Sequence, residues 1–373
     1  MKFIKIARLV ALISAVIVCY GSNIAQAAPA TGISANNNAL AVTLTPQKTV
    51  LKSSDDVIVN VKFSNQSGVD QFVLSWHTPF SDSPEGLFDV YRDGIKVAYM
   101  GPHYKRGAPV ASDYLVLKAG KSYSQQVELS AMYDMSVRGN YTIRFRTASL
   151  HLYSGNVSQG VVAAEKQVGH LESSTVSMWL DGRQAVAGIS ASPSSSPVPL
   201  ATLAGSLSFT RCSASQAADI TTAISGAINY SSNSLGYVTA GTQGPRYTTW
   251  FGAYDAGRYN TVKAHYTAIL DAFNNQPVVV DCGCKKTYYA YVYPNQPYKI
   301  YVCKAFWTAP MTGTDSKAGT LVHEMSHFNA TSGTDDWAYG HTAAKSLAIS
   351  DPAKAVDNAD SHEYFSENTP AQN

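Results

Sequence analysis

Between residues 41 and 146 the chain repeatedly alternates apolar and polar positions with a period of two. Ala41-Val-Thr-Leu-Thr45, Val57-Ile-Val-Asn-Val-Lys-Phe63 and Tyr141-Thr-Ile-Arg-Phe-Arg146 each put one face toward a core and one toward water, as half-buried strands do. Asn65-Gln-Ser-Gly68, Arg92-Asp-Gly94 and Arg138-Gly-Asn140 supply turns between such runs. Many short strands at this spacing predict an all-β sandwich of the immunoglobulin-like kind. Beyond residue 200 the period changes. An Ala-rich amphipathic stretch from Ser213, a suitable N-cap, to Asn229 predicts a helix, as does Tyr259 to Phe273. Tyr288-Tyr-Ala-Tyr-Val-Tyr293, a Pro-Asn-Gln-Pro turn and Tyr298-Lys-Ile-Tyr-Val302 predict a β-hairpin. A further helix is expected from about Asp315 to Phe328. The second half therefore reads as an α+β domain. Gly188-Ile-Ser-Ala-Ser-Pro-Ser-Ser-Ser-Pro-Val-Pro199 separates the halves as an extended Ser/Pro linker.

The amino terminus has the form of a secretory leader. Lys2, Lys5 and Arg8 precede an apolar run from Leu9 to Cys19, and Ala25-Gln-Ala27 offers a small-x-small site with cleavage after Ala27. The run is too short for a membrane span, so no membrane association is expected once the leader is gone. Val16-Ile-Val18 lacks the small residues of a lipidation site before Cys19. The style of the leader suggests a bacterial, secreted protein. The expected organisation is a leader at 1–27, a β-sandwich at 28–187, a linker at 188–205 and a second domain at 206–373. Four cysteines, Cys212, Cys282, Cys284 and Cys303, remain in the exported part, and an even count there predicts two disulfides. A formal net charge of +2 gives no polybasic surface for nucleic acid. With 45% hydrophobic and 14% charged residues the chain is globular rather than disordered.

The chemistry concentrates in Gly319-Thr-Leu-Val-His-Glu-Met-Ser-His-Phe328, which spells HExxH. On a helix His323 and His327, four apart, share a face and can both reach one metal ion, while Glu324 can reach a water on that metal. A catalytic zinc site needs a third protein ligand. Ala330 and Gly333 stand where one class of zinc peptidase has glycine and histidine, which excludes that class. Leu347 stands where another class has a glutamate, although Glu363 lies further on, and His341 is a further possibility. Gly333-Thr-Asp-Asp-Trp-Ala-Tyr-Gly340 is the best source. Its glycines allow a compact turn that returns Asp335 or Asp336 to the metal, with Tyr339 on the same side if the segment is helical. The first half shows no such cluster, and His77, His103 and His151 read as surface or packing histidines.

HExxH followed by GTxDxxYG resembles the aspzincins, the family of deuterolysins and peptidyl-Lys metalloendopeptidases. Pro245-Arg-Tyr-Thr-Thr-Trp-Phe-Gly252, Tyr291-Val-Tyr-Pro-Asn295, Thr312 to Glu324, Ala343-Ala-Lys-Ser-Leu-Ala348 and Asn358 to Asn368 are all similar to the Lys-specific branch. The resemblance covers about residues 208–373. The first half is more weakly similar to the propeptide found ahead of some secreted relatives. The resemblance implies an α+β zincin-like metalloprotease domain behind an immunoglobulin-like prodomain. It implies one Zn2+ per catalytic domain on His323, His327 and Asp336, Glu324 as general base, and Tyr339 as donor to the oxyanion. It also implies the pairings Cys212–Cys282 and Cys284–Cys303. Trp337 departs from the family's more frequent tyrosine.

The resemblance further makes Asp360 and Glu363 the floor of a pocket for a substrate lysine, with cleavage on its amino side. Two carboxylates under a long apolar stem suit an ammonium group. Read locally, Asp360-Ser-His-Glu363 is equally a helix cap followed by its glutamate. The expected partners are protein or peptide substrates and the chain's own propeptide, acting as internal inhibitor or folding aid. Two other readings compete: a deuterolysin-like protease without lysine preference, and an adhesive protein with an inactive zinc domain.

Overall fold

The computed structural model describes residues 40–82, 86–149, 152–154, 169–182 and 205–373. The expected leader, His151 and, except for Gly205, the expected linker lie outside the described residues.

The first half is built from β1 (Leu40–Pro46), β2 (Val50–Leu51), β3 (Ile58–Asn65), β4 (Gln71–Leu74), β5 (Phe88–Arg92), β6 (Ile95–Lys96), β7 (His103–Lys105), β8 (Tyr114–Leu117), β9 (Ser122–Glu128), β10 (Gly139–Ser149), β11 (Leu152–Ser154), β12 (Gly169–Glu172) and β13 (Val176–Leu180). The alternation sets which side chains go inward. Val59, Val61 and Phe63 of β3 are fully buried, and so are Tyr141, Ile143 and Phe145 of β10. β3 lies between β1 and β9, and β10 between β13 and β5. Their inward faces, with those of β4 and β8, share one apolar core. The turn at Asp93-Gly94 has φ of 49° and 83°, the left-handed pair that joins β5 to β6 with the twist of the strands. β7 does not pair with these sheets.

The second half contains β14 (Leu207–Thr210), α1 (Ala214–Thr239), α2 (Pro245–Phe251), α3 (Ala256–Asn275), β15 (Val278–Asp281), β16 (Ala290–Val292), β17 (Lys299–Val302), α4 (Lys304–Thr308), α5 (Lys317–His327), α6 (His341–Ser350), α7 (Pro352–Val356) and α8 (Ala359–Glu367). Ser213 caps α1 as expected: its hydroxyl accepts the Gln216 N–H while the Gln216 side chain takes the Ser213 N–H. The helix runs well past Asn229, and its buried face continues through Ser231, Ser234 and Val238. β14, β15 and β17 are parallel, and β16 turns back antiparallel to β17 as the expected hairpin. β7 completes this sheet as its edge, antiparallel to β16. α1, α3 and α5 bury their apolar stripes in a common core. Both disulfides have the pairing the resemblance implies, Cys212–Cys282 and Cys284–Cys303. They tie the start of α1 to the end of β15, and the following loop to the end of β17. Among the described residues no helix is long and apolar enough to cross a membrane.

Candidate active site

α5 carries HExxH and is held at its start. Ser316 caps it by accepting the Gly319 N–H at 2.9 Å. Glu367 of α8 accepts the N–H groups of Asp315 and Ser316 at 3.1 and 2.8 Å. Burial, with Glu363 beside it, pushes the Glu367 carboxyl up to about 9. A side chain at Gly319 would collide with that carboxyl, so glycine is what lets α5 and α8 approach. After α5 the chain turns at Gly333, φ 60°. Thr334 returns its N–H to the Ser326 carbonyl. The segment that follows is not helical, so Tyr339 does not share a helical face with Asp336. Instead the Asn358 side-chain carbonyl accepts the N–H groups of Trp337 and Ala338 at 2.9 and 3.0 Å, and fixes an extended turn. Trp337 donates its indole N–H to Asp357 at 3.0 Å.

This turn brings Asp336 to the two histidines. His323 Nε2 and His327 Nε2 are 3.1 Å apart. Asp336 Oδ1 lies 3.3 Å from His323 Nε2, and Oδ2 lies 3.4 Å from His327 Nε2. Bonds of about 2.0–2.2 Å to a tetrahedral zinc place neighbouring donors at about this separation. The donor set therefore fits the ion. Asp336 Oδ1 and Glu324 Oε2 are buried and have no hydrogen-bond partner, as expected of atoms aimed at a cation and its water. His327 Nδ1 sits 2.6 Å from the Thr334 carbonyl, which leaves Nε2 as the lone-pair nitrogen. Burial lowers His327 to about 3 and keeps it neutral. Burial opposes the charge on Asp336, but the two imidazoles outweigh it and hold the carboxyl well below its usual range. Burial raises Glu324 well above the usual carboxylate range. His341 stands apart, packed on Trp250 and Tyr364.

Asp360 and Glu363 lie beside the cluster on α8. Asn358 takes the cap position of that helix, so Asp360 is not its cap. The Asp360 carboxylate instead accepts the Gly340 N–H at 2.7 Å and lies 2.9 Å from His323 Nδ1. Glu363 Oε2 is 3.3 Å from the same nitrogen. Both acids face a fully buried lysine from the first half: Lys105 Nζ is 2.9 Å from Asp360, 2.8 Å from Glu363 and 3.1 Å from Asp315. Tyr364 completes the ring at 3.3 Å. Burial disfavours the charged amine, yet these carboxylates outweigh it and raise Lys105 well above its ordinary value.

The first half thus reaches the cleft, which corrects the expectation that it holds no part of the site. The Lys105 N–H donates to Glu324 at 3.2 Å, and the Tyr104 N–H donates to Asp336 at 3.2 Å. His103, read from sequence as a surface or packing residue, is buried and stacks on His327 with ring centroids 4.7 Å apart. Tyr339 is buried against Trp76, edge to face at 5.8 Å. Ala108 comes so close to Gly340, φ 83°, that a Cβ at 340 would clash with it. Asp315, Lys105 and Tyr364 were not singled out by sequence. Asp315, directly ahead of the HExxH helix, was the one with a local signal.

An HExxH helix against a mixed sheet, with an aspartate returned by the next turn, defines the zinc metallopeptidase class. Residues 237–367 match the family described as lysine-specific metallo-endopeptidase, the aspzincins. An extracellular protease of Aeromonas hydrophila is 46% identical over 324 residues, 86% of this chain and 90% of its own. The peptidyl-Lys metalloendopeptidase of Grifola frondosa is 39% identical over 284 residues, 75% of this chain and 76% of its own. A solved zinc peptidase from Grifola frondosa, 52% identical, spans 43% of this chain and 100% of its own, with a TM-score of 0.42. This chain belongs to the aspzincin family and is a zinc metalloendopeptidase.

Proposed function

We propose that the chain is a secreted preproenzyme whose second half hydrolyses peptide bonds on the amino side of lysine. Its first half, an immunoglobulin-like propeptide domain at 28–187, occupies the cleft as an internal inhibitor until it is removed. One observation carries this reading: Lys105 is seated among Asp360, Glu363 and Asp315 while its own strand lies antiparallel on the edge of the second-half sheet. An extended peptide that adds a strand to a sheet edge and drops one side chain into a pocket is how proteases hold substrates.

In this reading His323, His327 and Asp336 hold one zinc ion. When bound, the metal polarises the scissile carbonyl and brings the pKa of an attacking water to about 7. Glu324 takes the proton from the attacking water and delivers it to the departing amine. Its Oε1 already accepts the Lys105 N–H, the nitrogen of the peptide bond that precedes the lysine. Burial, which raises Glu324, suits a group that must hold a proton between the two steps. Tyr339 donates its hydroxyl to the oxyanion, a contribution of about 3 kcal/mol for such donors. Asp360 and Glu363 select lysine, because an ammonium leaves no buried carboxylate unpaired and a neutral side chain leaves two.

The test is mass spectrometry of the peptides released from a denatured mixed protein by the processed enzyme, with and without a zinc chelator. Chelator-sensitive products that begin with lysine are expected. Chelator-sensitive cuts at varied residues would remove the lysine pocket from the account, and no cutting by a zinc-loaded, processed sample would remove the enzyme. One observation favours a second reading. Both acids also touch His323 Nδ1, so they could serve only to orient a ligand in a protease indifferent to lysine.

A further inference from the structure

The register that seats Lys105 also determines what stands one residue before it. β7 and β16 pair so that Ala290 faces Lys105, Tyr291 faces Tyr104 and Val292 faces His103. The Lys105 carbonyl accepts the Tyr289 N–H at 3.0 Å. Side chains alternate along a strand, so Lys105 descends toward the acidic cluster and Tyr104 turns to the opposite face. There its ring meets Tyr288 edge-on at 5.0 Å and 69°, and Tyr291 at 6.0 Å and 41°. Tyr288 and Tyr291 stand edge to face, 6.2 Å apart at 85°, and form a two-walled corner. Tyr291 is backed by Tyr301, stacked at 4.5 Å and 5°. The Tyr288 backbone is pinned in turn by the Ala305 N–H, which donates to its carbonyl at 3.2 Å. Tyr104 is only 7% exposed, with part of its cover supplied by the first half itself, whose Arg106 guanidinium lies 4.6 Å from the Tyr104 ring centroid and 5.5 Å from that of Tyr288.

We propose that Tyr288 and Tyr291 form a binding subsite for the side chain immediately before the cleaved lysine, and that it takes an aromatic ring. The proposal rests on the reading that Lys105 stands where a substrate lysine stands. Both walls belong to the second half, so the corner is a property of the protease and not of the propeptide. Any extended substrate with lysine among Asp360 and Glu363, paired to β16 in this register, presents its preceding residue to Tyr291. Directly opposed residues on neighbouring strands have side chains in contact range, and two aromatic walls at right angles offer both edge-to-face and offset contact to a third ring. Bonds of the form Tyr-Lys and Phe-Lys are therefore preferred. An alanine there leaves the corner unfilled, and an aspartate must give up hydration against two ring faces.

The experiment uses processed enzyme and five peptides that differ only in the residue before a single lysine: Tyr, Phe, Leu, Ala and Asp. Competition within one mixture, read by mass spectrometry, gives relative kcat/KM. The Tyr and Phe peptides are expected to be cut about tenfold faster than the Ala peptide, with Asp slowest. Tyr288→Ala is expected to shrink the Tyr-to-Ala ratio to about twofold, and Tyr288→Phe to preserve it. Equal rates for all five peptides, each still cut before lysine, would overturn the subsite and leave lysine selection standing. An equal loss on the Tyr and Ala peptides in Tyr288→Ala would also overturn it, because a purely structural role acts on both alike. Cuts scattered away from lysine would instead overturn the reading on which the subsite rests.

Discussion

Lys105 Nζ and Asp360 Oδ1 are 2.9 Å apart although 255 residues of chain separate them. Both side chains are buried. A single lysine thus joins the two halves of the molecule at the acidic floor beside the HExxH helix, and it neutralises carboxylates that would otherwise repel one another there.

Removing that ammonium has two expected consequences. In Lys105→Ala the buried acids lose their counter-charge, at a cost of about 3–5 kcal/mol, so the unprocessed chain melts several degrees lower. The cleft also loses its anchor, and the unprocessed variant hydrolyses lysine peptides that the unprocessed wild type leaves intact. Thermal melting and a peptide assay on uncleaved protein check both. A variant as latent as wild type would mean that the seated lysine is not what restrains the enzyme.

The pocket acids separate the two readings of specificity. Asp360→Asn with Glu363→Gln is expected to reduce the preference for lysine over leucine at least about thirtyfold, by the 2–5 kcal/mol that loss of one partner of a desolvated charge pair costs. Preference retained alongside a lower melting temperature would assign the acids to holding His323.

Chelation should destabilise as well as inactivate. An ion that binds only the folded chain adds about 4 kcal/mol when it is present at a thousand times its dissociation constant. The melting temperature is expected to fall with chelator and recover with zinc. In His327→Ala the chelator should shift it little. An equal chelator shift in wild type and variant would place the stabilising metal elsewhere.

Acid should loosen the second half through a pair of histidines under α8. His265 Nδ1 lies 3.0 Å from His362 Nε2. Burial lowers His265 from 6.5 to about 4, and burial also lowers His362 well below its ordinary value. Both are neutral when folded, whereas the unfolded chain binds protons below about pH 6.5. Stability is therefore fully present above pH 6.5 and declines as pH falls toward 4, by roughly 3 kcal/mol for His265. Urea midpoints at pH 7, 5.5 and 4.5 should trace this fall, and His265→Gln should flatten it. An unchanged slope in that variant would assign the acid sensitivity to other groups.

Release of the second half should not follow its own lysine rule at the linker, because residues 188–205 contain no lysine; the neighbours are Lys166 and Lys263. Amino-terminal sequencing of secreted protein from wild type and Glu324→Gln is expected to give one cut, within the linker, made by another protease. A cut present only in the active form would establish self-processing.

Several features were legible because they are local. HExxH needs only the helical repeat, and Ser213 sits where a cap must sit. The alternation in β3 and β10 reports inward faces directly. Other features were hidden for a physical reason. Asp360-Ser-His-Glu363 has the spacing of a capping pair, yet Asn358 begins the helix, so both acids project toward Lys105. A helical segment would put Tyr339 on the same face as Asp336, but the side chain of Asn358, further along the chain, holds that segment extended.

The chain's order of residues alone determined the chemistry available to the second half: two imidazoles and a carboxylate at one helix, an aspartate after a glycine turn, and cysteines in even number. Each follows from backbone period or short-range turn chemistry. Only the tertiary structure decided that His103, Tyr104 and Lys105 enter the cleft, and that Tyr288 and Tyr291 wall the place before the lysine. β7 has three residues and no period of its own. It finds its position through hydrogen bonds to the edge of a sheet formed far along the chain, and through one buried lysine whose carboxylate partners no local pattern connects to it.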